Sequence, residues 1–117
     1  MGTTISRLRK AALALPETSE QPHFDLVSWR VRDRIFATIP TEPGRLRIFV
    51  EETEAAEMVA TDPAAYEEVR WGKRVAGVEA VLRAADEADV VGLLESAWRR
   101  KAPKRLVASY DEQTPAG

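Results

Sequence analysis

The stretch LVSWRVRDRIFATI, residues 26–39, decides the fold. It divides into two runs, Leu26 to Val31 and Arg34 to Ile39, both rich in β-branched and aromatic residues and separated by Arg32-Asp33. Two such runs joined by two residues predict an antiparallel hairpin, and Asp tolerates the left-handed backbone that a tight turn needs. With that turn, Trp29 is expected opposite Phe36 and Val31 opposite Arg34 on one face, while Ser28 and Arg30 point to the other. Pro40 to Gly44 makes a second turn. Arg45 to Val50 then alternates, with Leu46, Ile48 and Val50 on one side and Arg45 and Arg47 on the other. Three consecutive antiparallel strands with one buried face follow.

Upstream of this hairpin, Thr4 to Leu15 reads as a helix. Ile5, Leu8, Ala12 and Leu15 share a stripe, and Pro16 ends it. Residues 17–25 are polar, contain Pro22 and are expected to form a loop. Downstream, Glu51 to Ala60 is a second helix with Glu51, Glu52 and Glu54 at its start, where the macrodipole favours negative charge. Tyr66 to Trp71 fits either a further helical turn or an extended approach to the loop Trp71-Gly72-Lys73-Arg74. Val75 to Leu82 has a spacing that also fits a helix and is assigned to a strand. A third helix starts at Asp86, with Val90, Leu93, Leu94, Ala97 and Trp98 as its apolar stripe, and stops at Lys101 ahead of Pro103. Residues 107–117 are expected to be a polar, frayed tail behind a single domain over residues 1–106. This order predicts an α+β fold with an antiparallel sheet and its helices packed on one face. Trp29, Phe36, Leu94 and Trp98 are expected in one core.

A chain of 117 residues, 44% apolar and 31% charged, fits one soluble globular domain. Cysteine is absent, which excludes disulfides, thiolate metal sites and a cysteine nucleophile, and suits a reducing compartment. No apolar run approaches the ~20 residues that span a bilayer, and the N-terminus lacks a signal-peptide core, so a cytoplasmic protein without membrane association is expected. The net charge of −2 is unevenly distributed: residues 1–50 carry +3, residues 51–95 carry −8 and residues 96–117 carry +3. An acidic middle between basic flanks leaves room for one positive face, which is the quantity that matters to a polyanion.

No catalytic constellation stands out. The single histidine, His23, lies near Asp25 and near Ser19 and Ser28, but nothing like G-x-S-x-G surrounds either serine. Glu51, Glu52, Glu54 and Glu57 crowd one helix without a histidine or cysteine beside them, and no phosphate-cradling glycine loop is present. No enzymatic activity, metal or cofactor is therefore expected. The arginines carry more. Arg30, Arg32 and Arg34 surround the first turn, Arg45 and Arg47 lie on the next strand, and Lys73-Arg74 and Lys104-Arg105 form two further basic pairs. Arg30, Arg45 and Arg47 should converge on the sheet face that the helices leave open. Such arginines either keep strands soluble and discourage edge pairing or bind phosphate. Trp29 and Trp98 belong to apolar stripes, whereas Trp71, ahead of Gly72, is either packed on its loop or an interface anchor.

Four motifs recur in order: a first helix ending Ala14-Leu15-Pro16-Glu17; Ser28 to Ala37; Trp71-Gly72-Lys73-Arg74; and Ala97-Trp98 followed by Ala102-Pro103-Lys104-Arg105-Leu106. Their order and spacing, across about residues 5–106, resemble the MmcQ/YjbR-type family of small bacterial proteins. Two departures stand out: Asp33 where that family usually has Gly, and Val75-Ala76-Gly77 where it tends to read Gly-Trp-Val. The resemblance implies a CyaY-like fold and carries a DNA-binding label with two hairpin wings. A frataxin-like iron site is not expected, because the first helix carries Arg7, Arg9 and Lys10 and no acidic ridge. The expected function is a non-enzymatic module binding duplex DNA weakly and salt-sensitively through Arg30, Arg32, Arg34, Arg45, Arg47, Lys73 and Arg74. The alternative is a protein-interaction module that uses its exposed sheet.

Overall fold

The structure, a computed structural model, describes residues 2–113. Its elements run α1 (Ile5–Leu13), β1 (Thr18–His23), β2 (Leu26–Val31), β3 (Arg34–Ile39), β4 (Arg45–Ile48), α2 (Glu52–Thr61), β5 (Tyr66–Trp71), β6 (Arg74–Val81), α3 (Glu87–Lys101) and α4 (Lys104–Gln113). The strands form one antiparallel sheet in the order β1-β2-β3-β4-β6-β5. All helices whose packing fixes the core lie on one side: α3 crosses β2 to β4, α1 packs on α3 and β1, and α2 packs on β5 and β6. The protein is α+β, with a helical layer on one face of an antiparallel sheet.

The central hairpin forms where its sequence predicts, with Arg32 and Asp33 both at positive φ in the turn and Val31 paired with Arg34. Its register differs by one residue further in. A β-bulge between Trp29 and Arg30 pairs Trp29 with Ala37 and Arg30 with Ile35, so Trp29 does not lie opposite Phe36. The inserted residue turns both Phe36 and Ala37 inward, and both are wholly buried. Ile35 and Thr38 are left on the opposite face. Trp29, Phe36, Leu94 and Trp98 share one buried cluster, as their stripes predict. Each buried indole is satisfied: Trp29 donates to Glu20 Oε1 at 2.9 Å and Trp98 to the Pro16 carbonyl at 3.0 Å.

The expected loop at 17–25 is instead β1, paired along its length with β2. As an edge strand with half-exposed side chains, it has no need of apolar alternation. Pro22 is tolerated there because an edge strand has a side on which no ladder donor is required. Tyr66 to Trp71 takes the extended alternative and forms β5. A second bulge, between Val69 and Arg70, pairs Val69 with Gly77 and Arg70 with Val75. It sends Val75 and Val78 to the core and leaves Ala76 and Gly77 on the far face. Gly77 lies so close to β4 that a Cβ on it would meet the Ile48 carbonyl oxygen at 2.2 Å.

The expected frayed tail is also corrected. Ala102 is extended, as a residue before proline prefers, but Pro103 heads a new helix, its carbonyl accepting from Val107 N–H at 3.1 Å. Leu106, Val107 and Tyr110 of α4 pack against the core, and the Tyr110 ring meets Trp98 edge-on at 5.1 Å. Arg99 ties the two helices through Asp111 at 2.6 Å. The rest of the expected tail, residues 114–117, lies outside the described residues.

Candidate functional site

Strand pairing brings two turns to the same end of the sheet. β3 starts at Arg34, β4 runs back antiparallel to it, and β6 runs antiparallel to β4, so β6 starts at that end too. The β2–β3 turn, Arg32-Asp33, and the β5–β6 turn, Gly72-Lys73, therefore project together. Gly72 takes φ +65 in that turn, a conformation that costs a glycine nothing. The C-terminus of α3 arrives there as well. Arg100 Nη1 donates to the Phe49 carbonyl at 2.6 Å and fixes the basic last turn against the strand end.

Between these elements lies an open cavity of about 120 Å³. The bulges make its floor, because they leave Ile35, Thr38 and Ala76 on the face away from the helices. Phe49 and Trp71 form one aromatic side, their ring centres 5.2 Å apart, and Trp71 is 59% exposed. Arg74, Arg100 and Lys101 supply the charge, and His23 closes the remaining side. The cations sense one another: burial first, then Arg100, Arg34 and Arg74, lower the Lys101 ammonium below the usual lysine range. Among the described residues, Arg34, Lys73, Arg74, Arg100 and Lys101 form no ion pair.

The other candidate arginines sit differently. Arg45 donates to Glu79 at 2.9 Å and to Glu67 at 3.1 Å and lies 3.2 Å from Glu42. Arg47 holds the second oxygen of Glu79 at 2.8 Å. Burial alone would push the Glu79 carboxyl up, but the hydrogen bonds from Arg47 and Arg45 together hold it below the usual glutamate range. Arg30 donates to Ser28 Oγ at 2.9 Å and to the Pro22 carbonyl at 3.0 Å, clamping the edge hairpin. Arg32 pairs with Glu17 at 2.6 Å. Of the seven basic residues chosen from sequence, Arg34, Lys73 and Arg74 thus share the cationic end uncompensated, and Arg30, Arg45 and Arg47 are engaged on the sheet face. Arg32 shares the turn but is engaged by Glu17.

Arg100 and Lys101 are the members that sequence reasoning missed. Their signal was present as the basic run Arg99-Arg100-Lys101 closing a helix, but nothing local says that Arg99 turns to Glu95 and Asp111 while its neighbours meet the sheet. The two serines near His23 in sequence bond elsewhere: Ser28 Oγ donates to the Gln21 carbonyl at 2.8 Å, and Ser19 Oγ accepts from Gln21. Among the described residues, no three His, Cys, Asp or Glu side chains converge as a metal site. No described helix is long and apolar enough to cross a membrane. What the arrangement offers chemically is a set of charge-assisted donors beside an apolar, partly aromatic concavity.

Compared with known families, residues 13–100 match the model of the family described as YjbR, a span from the end of α1 through nearly all of α3. No curated protein matches the chain.

Proposed function

This chain belongs to the YjbR family, and on that footing we propose that it is a non-enzymatic DNA-binding module whose contact surface is the cationic end of the sheet. The observation that carries this is the gathering of Arg34, Arg74, Arg100 and Lys101 at one end without a carboxylate partner among the described residues. Clustering like charges is unfavourable in the free protein, and a row of phosphates relieves it. Guanidinium groups meet phosphate oxygens two at a time, which positions a nucleic acid without reading its sequence. The net charge of −2 does not oppose this, since the nearest phosphates respond to the local field within a Debye length. We place the protein in the cytoplasm, where a cysteine-free chain loses nothing to reduction.

The test is a titration of labelled duplex at two salt concentrations. Binding in the ~10⁻⁴–10⁻⁶ M range is expected at physiological salt, with a log–log salt slope of about −3 to −4 if each of the four cations meets one phosphate. Arg34→Glu/Arg74→Glu should cut the slope by about 2 and the affinity more than tenfold, whereas Arg47→Gln should leave both nearly unchanged. A second reading, a protein-interaction module, is favoured by the exposure of Phe24 (92%) and Trp71 (59%). Absence of binding at low salt, or binding indifferent to the charge reversal, would bring that reading forward.

A further inference from the structure

We propose that the cavity at the cationic end takes one unpaired base, so that the protein prefers single-stranded nucleic acid to duplex. This rests on the nucleic-acid reading above and adds to it which form is bound. Phosphate contacts explain the cations, but they do not explain the aromatic and apolar groups set among them. Trp71 is 59% exposed although its neighbours Val69 and Phe49 offer apolar surface. With Phe49 its ring walls the floor of Ile35, Thr38 and Ala76, and it lines the same cavity as Arg74. A flat apolar surface next to a guanidinium matches the two halves of a nucleotide, a base face and its phosphate.

Behind His23 on another wall stands a second exposed aromatic, held at an energetic cost. Phe24 occupies the β1–β2 turn at φ +55 with 92% of its surface exposed. A bulky side chain in the left-handed region is strained, and here no burial offsets the strain. Gly or Asn would make the same turn more comfortably. The Phe24 ring packs at 4.8 Å against His23, which lines the cavity wall. The cavity thus has the His23 imidazole on one wall, with Phe24 behind it, and the Phe49 and Trp71 rings on another. Bases inside a duplex are stacked and cannot enter such a cavity. An unpaired base can, while its flanking phosphates meet Arg34, Arg74 and Lys101.

The experiment uses the full chain with three labelled probes of equal length at one moderate salt: oligothymidylate, the corresponding duplex, and an abasic strand that keeps the phosphates and lacks the bases. Oligothymidylate should bind about tenfold or more tightly than the abasic strand, the effect of one stacked base. Trp71→Ala should remove that advantage while leaving abasic and duplex binding unchanged, Trp71→Phe should restore most of it, and Phe24→Ala should reduce it. Abasic and thymidylate strands bound equally, or a Trp71→Ala variant that weakens all three probes alike, would overturn the base-binding site. If Arg34→Glu/Arg74→Glu still abolished binding in that case, the phosphate reading would stand alone. Failure of all three probes to bind would overturn both.

Discussion

Tyr66 shows at the scale of one residue what the fold tolerates. It is buried beneath α2, and its hydroxyl has no hydrogen-bond partner among the described residues. Burial, joined by Asp89, Asp62 and Asp86, pushes the phenol up to about 12, so it stays neutral. A buried hydroxyl without a partner costs its desolvation and returns nothing. Tyr66→Phe is therefore expected to stabilise the protein by about 1 kcal/mol and raise the unfolding midpoint by roughly 4 °C. A fall in the midpoint would mean that the hydroxyl is held. The arginines teach the complementary lesson. Alternation alone shows that Arg45 and Arg47 share a face, and they do. It says nothing of Glu79, which lies on the neighbouring strand 32 residues beyond Arg47 and neutralises both. Charge compensation across a sheet is a property of strand order, and strand order is not written in any local window.

Elements were legible where their own pattern had to do the work. The hairpin at residues 26–39 carries alternation, turn chemistry and a buried face together, and it forms as expected apart from its bulge. β1 was not legible because an edge strand needs no apolar face, and polar residues with a proline resemble a loop. α4 was hidden by Pro103, which stops one helix and starts the next. Its large apolar residues are Leu106, Val107 and Tyr110, at i, i+1 and i+4. Those three side chains cover the outer side of the Trp98 cluster. Tyr110→Ala should lower stability by about 1–2 kcal/mol, from lost burial and the lost edge contact with Trp98. A variant as stable as the parent by denaturant unfolding would show that α4 is not part of the packed structure.

At the scale of the molecule, the charge blocks of +3, −8 and +3 leave room for a positive face. The folded chain shows where part of that charge goes. Glu67 and Glu79 from the acidic block are spent on Arg45, and the exposed Glu52 and Glu57 lie on α2, in the helical layer. The cations gathered at the sheet end come from three separate segments, Arg34, Lys73-Arg74 and Arg100-Lys101, joined only by topology. The most direct test of this account is a map of backbone amide shifts as duplex DNA is added at low salt. Shifts are expected at residues 32–35, 71–75 and 100–101, with residues 45–47 and α2 unmoved. Shifts centred on residues 45–47 or on the helical layer, or none at any concentration, would contradict it.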